Sequence, residues 1–191
     1  MTLRGTPLRF QNDNLGDGEM HTYFMKTERI GFSHWQADDL PLASLLWGDK
    51  AVTRLICASG VFTKEEISDR LKTEMHNGEL FGVEYWPIFD LSSGAFIGCC
   101  GLRPSGEEPD SFEIGFHLRP KWWGKGYAKE AATAVISYAF HTLHASSLFA
   151  GHHPDNEASR RLLSKLGFRS IGTRYYVPTG LYHPSYVLKY R

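Results

Sequence analysis

Two glycines sit where the chain turns from a β-rich run into alanine-rich sequence. SFEIGFHL (Ser111 to Leu118) is followed by Gly124-Lys125-Gly126-Tyr127-Ala128. A strand, a short glycine turn and a helix start together make an arrangement that binds phosphate. The first N–H groups of a helix have no intrahelical acceptor, and the helix dipole favours negative charge beside them. Glycine has no side chain to hold an anion off. Arg119, Lys121 and Lys125 add positive charge nearby. No Gly-Lys-Ser/Thr follows, so this is not a Walker loop. A third glycine and an acidic residue placed for a nucleotide ribose are also missing. On these residues alone, a purely structural turn stays open.

Other reactive types are sparse. Glu113 lies between Phe112 and Ile114, and strand alternation turns it to the opposite sheet face from those apolar neighbours. The nine histidines are scattered, and the His152-His153 pair has no metal-site signature, so no metal is expected. Cys57, Cys99 and Cys100 are too few for a disulfide framework and read as buried thiols of a reducing compartment. Lys plus Arg and Asp plus Glu both number 21, giving a formal net charge of zero. That balance argues against nucleic acid as a partner. No apolar run approaches the ~20 residues of a membrane span. MTLRGTPLRF lacks the apolar core of a secretion signal, so the expected location is cytoplasmic.

The elements that must position these residues follow from pattern. Residues 1–20 read as a flexible N-terminal arm, and 21–191 as a single domain. TERIGFSHW suggests a strand, and Asp38-Asp39 a cap for the short helix LPLASLLWGD. In FTKEEISDRLKTEMHNG, Thr63 and Glu66 have capping-box spacing, Ile67 and Leu71 share a face, and Asn77-Gly78 marks the expected end. VEYWPIFDL, AFIGCCGLRP and SFEIGFHLRP read as a three-stranded meander. KEAATAVISYAFHTLH is expected to be a helix with Ala131, Val135, Tyr138 and Thr142 on one face. SLFAGHH is a further strand. In NEASRRLLSKLGF, Asn156 caps a helix, Leu162, Leu163 and Leu166 face inward, and Gly167-Phe168 stops it. The tail reads as a hairpin rich in tyrosine. This order predicts a mixed α+β domain on a mostly antiparallel sheet.

EIGFHLRPKWWGKGYAKEA and PDNEASRRLLSKLGF, in this order, resemble the GNAT acetyltransferase superfamily. Within it the chain is most similar to the branch of the RimJ and RimL ribosomal-protein N-terminal acetyltransferases, from about Thr27 to the C-terminus. The resemblance implies the GNAT fold: a twisted, mixed, mostly antiparallel sheet of about seven strands flanked by about four helices. It also implies that the strand at 111–118 and the one at 147–153 splay apart.

It implies acetyl-CoA as cosubstrate, with the pyrophosphate on the N–H groups of Trp123, Gly124, Lys125, Gly126, Tyr127 and Ala128. The pantetheine arm would pair with the backbone near His117, Leu118 and Arg119, and the thioester would lie between the splayed strands. The implied activity is acetyl transfer to a primary amine, either a protein N-terminus or a small molecule. The alternative is a non-catalytic acyl-CoA-binding sensor or partner-binding domain on the same fold. Glu113 is the candidate general base; otherwise it is a strand glutamate paired with an arginine or facing solvent. Asn156 and Ser159 match the family's N-x-x-S helix start, the asparagine on the pantetheine and the serine on the sulfur or as general acid. Asn156 also serves as a cap. Tyr127 reads as packing under its helix, and Trp122 and Trp123 as groove wall or turn anchor.

Trp35, Trp47, Trp86, Tyr175, Tyr176 and Tyr182 are candidates for an aromatic acceptor pocket, with a core role open for most. Tyr182-His183 is followed by Pro184 where the RimJ-like branch commonly has an acidic residue, which argues against a ribosomal-protein substrate. Homodimers are common in similar proteins, although the sequence carries no interface signature.

Overall fold

The computed structural model describes residues 21–106, 108 and 110–190; the expected arm lies outside them. Eight strands form one open sheet: β1 (Met25–Lys26), β2 (Ile30–Phe32), β3 (Pro87–Asp90), β4 (Phe96–Pro104), β5 (Ser111–Leu118), β6 (Ser147–Gly151), β7 (Arg169–Tyr176) and β8 (Leu181–Lys189). Their spatial order is β1-β2-β3-β4-β5-β6-β8-β7. The pairings are antiparallel except β5 with β6, which run parallel. The helices are α1 (Leu40–Trp47), α2 (Lys50–Thr53), α3 (Lys64–Phe81), α4 (Tyr127–His141) and α5 (Glu157–Lys165).

Both sheet faces are covered. Adjacent Cys99 and Cys100 point to opposite faces and fall in different core clusters. One cluster takes Ala131, Ala132, Val135 and Ala139 of α4 with Leu163 of α5; the other takes Ala43, Leu46 and Trp47 of α1 with Ile67 and Leu71 of α3. All three cysteines are free and buried, as expected.

The departures from expectation have local causes. The first strand is two, because Thr27 N donates to Ile30 O (2.9 Å) and Ile30 N to Thr27 Oγ1 (3.0 Å), closing a tight turn. A short α2 was not foreseen; Asp49 caps it by accepting from Ala51 N at 2.8 Å. Asp39 does not cap α1 with its side chain but accepts from Gln36 N at 2.9 Å, one turn earlier. The capping box of Thr63 and Glu66 forms as expected. The helix does not stop at Gly78, however, and runs to a left-handed Gly82 (φ +69°). A Cβ on Gly78 would lie 2.2 Å from a Glu84 carboxylate oxygen, so this glycine admits a neighbour instead of ending a helix. In α4, Ala131 and Val135 are buried and Tyr138 half-buried, but Thr142 is exposed just past the helix end. Asn156 caps α5 through Ser159 N, and Phe168 N closes back on Leu163 O at 3.1 Å.

Candidate active site

The parallel pair β5–β6 stays joined only from Ser111 opposite Ser147 to Glu113 opposite Phe149. Beyond that, β5 runs on to Leu118 and β6 to Gly151 without pairing to each other, and a cleft of ≈ 860 Å³ opens between them. Main-chain groups along an antiparallel pair alternate in direction. Arg119 N donates to Ile97 O (2.9 Å) and Leu118 sits opposite Gly98, so His117 and Arg119 turn their backbone to β4. Of the three expected backbone partners, only Leu118 has its main chain on the cleft side, where its carbonyl already accepts from Trp123 Nε1, and Phe116, which the motif did not single out, joins it.

At the far end of β5 the glycine turn is braced from below. Trp122 Nε1 donates to Phe96 O (3.2 Å) and Trp123 Nε1 to Leu118 O (2.6 Å). Both indoles therefore anchor the turn; Trp122 packs on the core, while Trp123, 47% exposed, also walls the cleft. Tyr127 is buried under the helix start. It donates to Asp90 Oδ1 (2.8 Å), with the Arg29 guanidinium 4.2 Å from its ring centroid. Hydrogen bonds from Ser92, then Ser93 and Tyr127, hold the Asp90 carboxyl down to about 2 against the opposing effect of burial. Arg29 also ties the turn to the helix through Lys125 O (3.1 Å) and Glu130 (2.6 Å).

Gly124 and Gly126 both have left-handed φ (+72° and +84°), and a Cβ on Gly124 would meet nothing within 4 Å. Trp123 N and Glu130 N have backbone acceptors, but among the described residues the N–H groups from Gly124 to Lys129 have none. An open concavity of idle donors at a helix N-terminus suits an anion.

Glu113 stands at the root of the fork and faces the cleft. It accepts from the Tyr85 hydroxyl at 3.0 Å. Gly115 makes that contact possible: a Cβ there would lie 2.2 Å from Tyr85 Cζ. Burial, then the charge of Glu113, pushes the Tyr85 phenol well up, so it stays a donor. Beneath lies a buried ion pair. Arg103 is bonded to Glu74, whose carboxylate also accepts from Tyr85 N at 2.9 Å, and the guanidinium sits 4.2 Å over the Tyr85 ring. Deeper in the floor, Trp47 Nε1 donates to His117 Nδ1 (3.3 Å). Burial, then the charges of Arg70 and Arg103, brings this imidazole down to about 3, so it is neutral.

Across the cleft, Asn156 Oδ1 accepts from Ser159 N (3.1 Å), and both residues line the opening. His152 and Tyr186 join them there, although no motif pointed to either. His152 is buried, with Nδ1 2.8 Å from His153 O and Nε2 3.1 Å from Tyr186 Oη. The carbonyl can only accept, so Nδ1 is the donor in that contact. Of the six aromatic candidates, Tyr175 and Tyr176 line the cleft. Trp35, Trp47 and Trp86 are buried in the core, and Tyr182 is 66% exposed outside the cleft. The His152–Tyr186 contact and the polar floor assemble from distant segments, which spacing does not reveal.

The comparisons with known proteins agree with this architecture. The model for the acetyltransferase (GNAT) domain matches residues 29–169. The FsC-acetyl coenzyme A-N(2)-transacetylase of Aspergillus fumigatus is 31% identical over 161 residues, covering 81% of this chain and 66% of that one. The ribosomal protein uS5-alanine N-acetyltransferase of Escherichia coli is 35% identical over 91 residues, 46% of each chain. A solved GNAT-family acetyltransferase from Bacillus anthracis superposes with a TM-score of 0.72 at 24% identity, covering 86% of this chain and 96% of that one. The matched region runs from the turn before β2 to the start of β7, taking in the fork, the glycine turn and α5, and the chain belongs to the GNAT acetyltransferase family.

Proposed function

We propose that the region 21–191 is one catalytic domain that moves the acetyl group of acetyl-CoA to a primary amine by direct attack on the thioester. The fork carries this reading: a main-chain edge at Phe116 and Leu118 leads from the idle N–H groups of 124–129 to a carboxylate at Glu113. Those N–H groups would hold the pyrophosphate, and the open edge would pair with the pantetheine amides. When bound, the thioester supplies an activated carbonyl carbon.

The chain's own groups do the rest. Glu113 takes the proton from the ammonium or attacking amine, and the nitrogen forms a bond to the carbonyl carbon as the carbon–sulfur bond breaks. The CoA sulfur leaves with the bonding pair and takes a proton, for which Ser159, on the facing helix, is the expected donor. The products are the acetamide and free CoA thiol. The two relatives named above support an amine acceptor by the activities in their names, one on a ribosomal protein and one not.

Thiol release from acetyl-CoA over a panel of amines and N-terminal peptides tests the reading. Glu113→Gln is expected to lower kcat by ~10²-fold or more while KM for acetyl-CoA holds. Ser159→Ala is expected to cost ~10-fold. Tight CoA binding with no turnover on any acceptor would instead favour a sensor domain.

A further inference from the structure

Among the described residues, Arg70 has no anionic partner for its charge. It lies on the inner face of α3, in register with Ile67, Leu71 and Glu74, and lines the cleft beside Tyr85, Arg103, Glu113 and Tyr176. Its guanidinium sits over the rings of Trp47 (5.1 Å) and Phe62 (4.7 Å), which fix its position without using its N–H groups. Its Nε is buried with no hydrogen-bond acceptor. Of the nearby carboxylates, Glu74 is held by Arg103 and Tyr85 N, and Glu113 accepts from the Tyr85 hydroxyl and makes no ion pair with Arg70. Burial and the like charge of Arg103 both disfavour its protonated form, and Glu74 only partly answers them.

A part-buried guanidinium with idle donors is costly unless an anion completes it. Its planar fork matches a carboxylate by two parallel hydrogen bonds. The same cleft holds Glu113, which suits an ammonium. One ligand satisfies both groups: an amine that also carries a carboxylate.

The cleft also sets a size. Arg54, Leu55 and Ile56 line it from the segment after α2, and Tyr175 and Tyr176 line it from β7. These two walls are joined by a hydrogen bond from Ala58 N to Pro178 O, 2.8 Å. A strap across this end leaves room for a small acceptor and obstructs a polypeptide. We propose that Arg70 binds the acceptor's carboxylate, making the acceptor a small amino-acid-like amine. This rests on the acetyl-transfer reading above and uses the step written there.

The test compares free amino acids with their carboxamides, which differ little in shape and lack the charge. With the wild-type protein, kcat/KM for each acid is expected to exceed that for its amide by about ten- to hundredfold. Arg70→Met keeps an apolar stem between Trp47 and Phe62 and is expected to erase that difference. Acids and amides acetylated equally by the wild-type protein would overturn the proposal with no variant needed. Acetylation of N-terminal peptides but not of free amino acids would overturn it as well.

A binding readout separates this proposal from the reading beneath it. Thermal shift of the CoA-loaded protein with an N-acetyl amino acid and with its N-acetyl amide needs no turnover. A shift for the acid alone, lost in Arg70→Met, upholds the anion site even if no amine is acetylated, in which case the transfer reading fails on its own. Equal shifts for acid and amide overturn the anion site.

Discussion

Gly115 decides whether Glu113 has company. Strand alternation alone turns Glu113 out of the core, and the structure bears this out. Its contact with Tyr85 depends on a neighbour 28 residues away and on the bare Cα at 115. A methyl group at that position must displace the phenol ring. Gly115→Ala is therefore expected to destabilise the fold by ~1–3 kcal/mol, as overpacking does, and to lower kcat more than KM for acetyl-CoA. Tyr85→Phe keeps the ring and removes only the hydroxyl. It should lower kcat with little change in melting temperature, so steady-state kinetics and thermal unfolding of the two variants separate ring position from hydrogen bonding. Arg70 is visible in the sequence as a charge on the apolar stripe of α3, yet periodicity scores only the apolar residues and gives it no weight. The Arg103–Glu74 pair spans 29 residues and leaves no local trace.

The elements were more legible than their ends. Capping residues read correctly where the cap is local, as at Thr63 with Glu66 and at Asn156. Glycine misled where its reason is tertiary, as at Gly78, which makes room for Glu84. The glycine turn before α4 permits a comparison at this scale. Gly124 and Gly82 have nearly the same left-handed φ (+72° and +69°), and a Cβ at either would meet nothing within 4 Å. Alanine at each should cost the same backbone strain, ~1–2 kcal/mol in thermal or denaturant unfolding. Only Gly124→Ala puts a methyl group over the idle N–H groups. It should weaken acetyl-CoA binding by calorimetry, while Gly82→Ala, at the end of α3, should not. Equal affinities would move the pyrophosphate away from this turn.

At the scale of the whole molecule, the order of apolar runs and helices pointed to a mixed, mostly antiparallel sheet with a central meander, while the placing of β8 between β6 and β7 had no trace in it. The charge buried between the layers left none either. His117 lies under the cleft as a neutral imidazole, its folded value about 3 against 6.5 for the free side chain. The unfolded chain therefore binds a proton below pH 6.5 that the folded one refuses until about 3. Stability is full above pH 6.5 and falls with acid through this window, at up to about 1.4 kcal/mol per pH unit from this residue. His117→Gln should flatten that stretch of the stability curve, as denaturant unfolding between pH 4 and 7 would show. An unchanged slope would mean that the ring is solvated. No helix of the described residues is long and apolar enough to cross a membrane.

The fork also has a consequence for association. An unpaired strand edge on a protein's outside invites a second chain to add on and propagate into aggregates. Here the open edge of β5 is interior: β6 diverges beside it and residues of α5 line the gap. A foreign strand would have to push apart elements that β8 and the core hold in place. A slender ligand arm only needs to slide in. The fold thus keeps a free template for β-type pairing while screening it from its own kind, and admission depends on width.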